Sequence, residues 1–260
     1  MPNVTRTILG GIDADLLETT VSRRSALAGF GRTAAGLAIA SAPLALGVMA
    51  RNAFAQSGLP QQIQDTLNFA LTLEYLEAEF YATGLAANGL IPPADRAVMT
   101  QISKHEDAHV VLLQGALGAA AVGKPTFDFT AGGAFADVFS NYTTFLALAQ
   151  GFEDTGVRAY KGQAATLISN NGILTTALQI HSVEARHAAQ VRRMRGNKGW
   201  VTGSITDVAA LQAVYAGDAV TMQASVETAA FVNANAASEA FDEPLSKEAV
   251  LAIAGLFIVA

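Results

Sequence analysis

An all-α fold, a four-helix bundle with one long connection between its second and third helices, is what this chain of 260 residues predicts. Three observations carry the prediction. Glu-x-x-His occurs twice, as Glu106-Asp-Ala-His109 and Glu184-Ala-Arg-His187, each time in a strongly helical stretch. Each is preceded by a helical stretch carrying Glu-x6-Tyr, Glu74…Tyr81 before the first and Glu153…Tyr160 before the second, at nearly equal separations. Residues 121–136, which resist a helical reading, separate the two halves. Random placement of the chain's four histidines would rarely make even one Glu-x-x-His, yet His105, His109, His181 and His187 all fall in these two short windows.

Taken in order, helix A is expected over 61–88, where Leu67, Leu71 and Ala78 form an apolar stripe shared by Glu74 and Tyr81. Asn88-Gly89 ends it, and Pro92-Pro93 opens helix B, 93–119, with Val98, Ile102, Leu113 and Ala116 inward. Helix B is then about 40 Å long. Roughly 14 extended residues cover about 46 Å, so the Gly- and Pro-containing linker 121–136 can run the length of the bundle. Helix C is expected over 137–168, with Phe145, Ala149, Phe152 and Ala159 inward. Gly151, Gly156 and Gly162 in it read as close helix approaches or a bend. Asn170-Asn171-Gly172 reads as a turn, and helix D as 173–195, with Leu174, Leu178, Val191 and Met194 inward. Gly196 stops it, after an Arg192, Arg193, Arg195 cluster that suits the negative end of the helix dipole. Residues 201–260 suggest a helical extension, with short helices near 206–216 and from Ser246, packing on the bundle or on a partner.

Composition narrows the function. A formal charge of −6 argues against nucleic acid as a partner. The absence of cysteine excludes disulfides, zinc thiolates and cysteine nucleophiles, so any metal must be held by Glu, Asp and His. The first 55 residues read as an export signal: Ser22-Arg23-Arg24 before Ala26-Leu27, an uncharged stretch 33–50, then Ala53-Phe54-Ala55 as a cleavage site. A transmembrane anchor is the rival, but the uncharged stretch is rich in Ala and Gly and contains Pro43. The expected organisation is a 1–55 signal, a 56–200 bundle and a 201–260 extension, with no membrane span after cleavage. A homo-oligomer is compatible with it.

A Glu and a His at i and i+3 share one face of a helix and can reach one metal ion or two adjacent ones. Two such helices, with Glu74 and Glu153 from the other two, supply the ligand set of a dinuclear centre: Glu74, Glu106, His109, Glu153, Glu184 and His187. Oxygen and imidazole donors suit iron or manganese. Without metal, four carboxylates and two imidazoles would share a core whose inward stripes carry no Lys or Arg, and unpaired buried carboxylates are costly. Glu77, one turn from Glu74, is the alternative carboxylate; the repeat favours Glu74, because Gly156 stands where Glu77 would repeat. His181, whose counterpart is Ser103, reads as an extra ligand, as a partner of a ligand, or as a core histidine, and His105 as structural. Tyr81 and Tyr160 read as hydrogen-bond partners of ligands, as a radical relay, or as core aromatics.

Leu73-Glu-Tyr-Leu-Glu-Ala-Glu-Phe-Tyr81, Pro125-Thr-Phe-Asp-Phe129, Phe152-Glu-Asp-Thr-Gly-Val-Arg-Ala-Tyr160 and Phe241-Asp-Glu-Pro-Leu245 resemble the ferritin-like superfamily. The similarity is to the exported branch that includes bacterial twin-arginine-signal proteins and plant desiccation-related proteins. The superfamily also holds ferroxidases, peroxide-reducing rubrerythrins and manganese catalases. The resemblance implies a periplasmic protein with two iron or manganese ions, acting on O2 or H2O2 as an oxidase or a peroxide-reducing enzyme. The alternative is a stress-protective structural bundle whose metal site is structural or vestigial.

Replacing Arg23 and Arg24 by Lys should trap precursor in the cytoplasm, as cell fractionation would show; unchanged delivery would rule out the twin-arginine reading.

Overall fold

The computed structural model describes residues 58–259, so the expected export signal lies outside the described residues. Four long helices dominate: α1 Gln61–Ala86, α2 Pro93–Leu117, α3 Tyr142–Gln163 and α4 Asn171–Met194. Short connections pair α1 with α2 and α3 with α4, and α1 also packs on α3. The α2–α3 connection is the long crossover, and the chain is the all-α bundle that the motif spacing predicts.

Caps explain the helix boundaries, including where they depart from expectation. Gly89, at φ 74°, turns the chain after α1, and Pro93 occupies the first turn of α2, where its missing N–H costs nothing. α3 begins at Tyr142, five residues later than the expected 137, because the Asn141 side chain accepts a bond from the Thr143 N–H and caps the helix there. Upstream, the Asp128 carboxylate accepts from the Thr130 and Gly132 N–H groups, and Ala131, Gly132 and Gly133 all have positive φ, which no helix tolerates. α4 begins at Asn171, inside the expected turn, since Asn170 caps it by accepting from the Ile173 N–H at 3.1 Å. Gly196, at φ 79°, ends the turn that follows α4.

The stripe on α4 also differs in detail. Leu178 is 47% exposed, and the inward positions are Ile173, Ala177, Ile180, Glu184, His187 and Val191. Those spacings of three and four residues follow the 3.6-residue period more closely than the expected set. The three glycines of α3 mark close approaches. A Cβ on Gly162 would stand 2.0 Å from the Leu245 carbonyl oxygen, and one on Gly151 would meet Leu211 at 2.8 Å.

Residues beyond α4 wrap α3. They comprise a 3-10 helix Ala209–Tyr215, a small β-hairpin, α5 Ala234–Ser238 and α6 Lys247–Ala254, capped by Ser246. The last strand, Ile258–Val259, pairs antiparallel with Thr126–Phe127 of the crossover, so the chain's end ties down the long connection. Polar side chains make the other tie. Buried Arg158 donates to the carbonyl oxygens of Val214, Ala216 and Glu243 and lies 3.1 Å from the Asp218 carboxylate. Arg192 pairs with Asp154, to which the Tyr215 hydroxyl also donates at 2.7 Å. The expectation that the inward helical surface lacks arginine is therefore corrected: Arg158 and Arg192 are 2% and 6% exposed, with the charge of Arg158 committed to the extension and that of Arg192 to Asp154 of α3. No helix among the described residues is long and apolar enough to cross a membrane.

Two apolar clusters make the core. One contains Phe80, Tyr81, Met99, Phe145 and Phe152; the other contains Leu67, Ala70, Leu113, Tyr160, Ile173 and Ala177. Between them lies the acidic centre.

Arg158→Ala would leave Asp218 buried without its cation and free the extension from α3. Denaturant unfolding should show a loss of about 3–5 kcal/mol, and Arg158→Ala with Asp218→Ala should recover part of it.

Candidate metal centre

Glu74, Glu106, Glu153 and Glu184 are each 0% exposed, at mid-length of α1 to α4 respectively. His109 and His187 follow one turn after Glu106 and Glu184 and are also buried. Donor atoms of these six side chains form two groups, each within 4.8 Å: Glu74, Glu106, His109 and Glu184, and Glu106, Glu153, Glu184 and His187. The carboxylates of the two Glu-x-x-His motifs belong to both groups; Glu74 and Glu153 each belong to one.

The pseudo-twofold repeat expected from the sequence is visible in these contacts with one break: Glu106 approaches both histidines, whereas Glu184 approaches His109. His109 Nδ1 lies 3.1 Å from Glu74 Oε2, 3.1 Å from Glu106 Oε2 and 3.2 Å from Glu184 Oε1. His187 Nδ1 lies 2.8 Å from Glu106 Oε1 and 3.2 Å from Glu153 Oε2. Glu106 thus turns one oxygen toward each histidine. The tyrosines cross the bundle: Tyr81 donates to Glu153 Oε1 and Tyr160 to Glu74 Oε1, both at 2.5 Å. Each tyrosine holds the outer oxygen of a glutamate while the inner oxygen faces a histidine. Of the expected roles, partner of the carboxylate is the one that this geometry places on Tyr81 and Tyr160.

Glu77 is buried at the edge of this centre and belongs to neither donor group. Its place depends on Gly156, where an added Cβ would stand 2.8 Å from Glu184 Oε2 and 3.2 Å from Glu77 Oε1. The glycine at the repeat position of Glu77 is therefore what makes room for Glu77 beside Glu184. His181 does not join the cluster; it is partly buried, near Lys161 and Asp242. His105, expected to be merely structural, stacks on His187, with its Nδ1 2.8 Å from His187 Nε2 and its Nε2 2.7 Å from the Gln101 amide. That contact holds the His187 ring with Nδ1 toward the carboxylates. Its only sequence signal was adjacency to Glu106, since the repeat position on α4 is Val183.

Taken by themselves, the carboxylates repel one another. Burial, and then the neighbouring carboxylates, push Glu77 and Glu184 well above the usual carboxylate range. Burial works against a charged His187, but Glu153 and Glu106 outweigh it and push the ring up to about 11. Burial, and then Glu153 or Glu74, raise Tyr81 and Tyr160, so both hydroxyls stay protonated as donors. Even so, Glu106 Oε1, Glu153 Oε2, both oxygens of Glu184 and His187 Nδ1 have no hydrogen-bond partner. The short His187 contacts have the distance of hydrogen bonds without the alignment.

These orphaned atoms test whether metal fits. Bonds of about 2.1 Å at right angles place neighbouring donors about 3 Å apart, which is the spacing of the imidazole and carboxylate atoms here. The summed charge of four carboxylates equals that of two divalent cations. The residues fit a metal site built from two adjoining donor groups.

A family model described as a ferritin-like domain matches residues 63–197, just over half of the chain. A search of curated proteins returned no match.

Glu106→Ala with Glu184→Ala should strip the protein of metal, because both donor groups lose two members. The metal-free double variant should melt above metal-free wild type, since two buried like charges disappear. Among single variants, Glu74→Ala should empty one position, whereas Glu77→Ala should keep both. Metal counts per chain would check these outcomes; the reverse pattern for the single variants would reassign the carboxylate.

Proposed function

Since the chain belongs to the ferritin-like family, we propose that its acidic core holds two iron or manganese ions, and that the protein is an oxidoreductase acting on O2 or H2O2 outside the cytoplasm. The observation that carries the reading is the pair of donor groups sharing Glu106 and Glu184. When bound, two such ions would supply paired one-electron changes to an oxygen species.

The chain's own residues have separable tasks in this reading. Glu106 and Glu184 would connect the two positions, and Glu74 with His109, and Glu153 with His187, would complete them. Tyr160 and Tyr81 orient the outer carboxylates through their 2.5 Å bonds and keep a proton at each outer oxygen. A tyrosine hydroxyl rather than a cation at these places lets the carboxylate keep its charge for the metal. Glu77, whose carboxyl is pushed up by burial and by the neighbouring carboxylates, stands beside Glu184 one helical turn from Glu74. His105 packs against His187 and meets its Nε2, which keeps the other ring nitrogen, Nδ1, turned toward the carboxylates. The apolar clusters on both sides exclude bulk water from all four carboxylates.

Export is supported by Arg23-Arg24 and the uncharged stretch that follows them. The absence of cysteine is compatible with an oxidising compartment.

Metal-free protein loaded anaerobically with Fe(II) or Mn(II) should consume O2 or H2O2 over many turnovers when a reductant is supplied, as an oxygen electrode and a peroxide assay would record. Full metal occupancy with no turnover of either oxidant would overturn the enzyme reading in favour of a structural, protective bundle.

A further inference from the structure

The internal repeat pairs α1 with α3 at an offset of 79, as Glu74 with Glu153 and Tyr81 with Tyr160, and α2 with α4 at an offset of 78, as Glu106 with Glu184. The two ends of the bundle should then be equivalent, but they are packed differently. At the Tyr81 end, Phe80 and Phe145 stack at 4.6 Å between ring centres, and Met99 is fully buried in the same apolar cluster. The same offsets carry Phe80 to Ala159, Phe145 to Thr66 and Met99 to Ala177. Three large side chains at one end are replaced by three small ones at the other.

The consequence is a cavity of about 30 Å³, whose walls include Thr66, Ala159, Ala177 and Tyr160. By a comparable measure one water needs about 10–15 Å³, so the space suits one diatomic molecule. Its surface is almost entirely carbon, with Ala70, Leu113 and Ile180 among the other walls. Water needs two or more polar partners to be held in such a place. Tyr160 joins this cavity to the acidic centre, because its hydroxyl donates to Glu74. Most wall residues are buried, and Leu112, Ala116, Gln163 and Thr176 are only partly exposed.

The geometry points to a gas pocket: the Tyr160 end of the bundle admits and holds a small apolar molecule, dioxygen, beside Tyr160, while the Phe80–Phe145 stack closes the Tyr81 end. An apolar pocket concentrates a nonpolar gas and offers nothing to hydrogen peroxide, so the pocket selects O2 between the two oxidants. This inference rests on the proposed metal centre for what the gas reaches, but not for the pocket itself.

Xenon tests the pocket without metal or turnover. Crystals pressurised with xenon should show a site bounded by Thr66, Ala159 and Ala177 and none at the Phe80–Phe145 stack, and Ala177→Met should lose it. In Fe(II)-loaded protein the same substitution should slow oxidation by subsaturating O2 several-fold and leave the H2O2-driven rate unchanged. Ordered water in place of xenon, a site at the Tyr81 end, or an O2 rate indifferent to the Ala177→Met substitution would overturn the proposal. If Ala177→Met fails to fold, Ala159→Val replaces it, and the wild-type xenon map stands as evidence by itself. Xenon without metal uptake would sink the metal centre and leave the pocket; metal uptake without xenon would do the reverse.

Discussion

Five carboxylates in the middle of a helical bundle, with two imidazoles and no arginine or lysine among them, are the constraint around which the rest of this protein is arranged. Desolvating an isolated carboxylate costs several kcal/mol even after relaxation. Native domains are stable by only about 5–15 kcal/mol. The centre therefore has to be compensated locally, by protons in the metal-free chain or by cations. Hydrogen bonds from Tyr81 and Tyr160 satisfy one oxygen each of Glu153 and Glu74, and the remaining inner oxygens converge with His109 and His187. The centre also divides the hydrophobic core in two. Everything else has to supply the stability that an uninterrupted core would have supplied.

The C-terminal extension answers part of that need. It covers α3, the most completely buried of the four helices, and returns to pin the crossover through the Ile258–Val259 strand. Arg158 places its charge on Asp218 and on extension carbonyls, and Arg192 places its charge on Asp154. Keeping these cations away from Glu153 and Glu184 matters, since an arginine inside the centre would compete with any metal for the carboxylates. The glycines of α3 serve the same geometry from within: Gly162 lets the extension backbone touch the helix, and Gly156 gives Glu77 its space.

The bundle and its six central side chains were legible because spacing alone encodes them. A Glu and a His three apart must share a helix face, and a repeat of that pattern must place two faces together. The Glu74 and Glu77 alternatives could be ranked only through the repeat, whose broken position, Gly156, proved to mark physical space. What stayed hidden depended on contacts between residues distant in sequence. Nothing in the neighbourhood of His105 reveals that its ring meets His187. The crossed tyrosine bonds need the relative rotation of α1 and α3, and the late start of α3 needs the Asp128 turn and the Asn141 cap, which helix periodicity does not report. The buried arginines look, in sequence, like ordinary helix-surface charges until the extension is folded over them.

The asymmetry of the bundle's ends shows how a repeated scaffold can specialise. Identical ligand spacing is retained in both halves, while Phe80, Phe145 and Met99 have become Ala159, Thr66 and Ala177 across the repeat. The most direct test of the account is anomalous diffraction from metal-loaded crystals, collected at the iron and manganese edges. Two peaks should lie within the bundle, one enclosed by Glu74, Glu106, His109 and Glu184 and the other by Glu106, Glu153, Glu184 and His187. A centre without anomalous signal after loading, or metal bound only elsewhere on the molecule, would contradict the account.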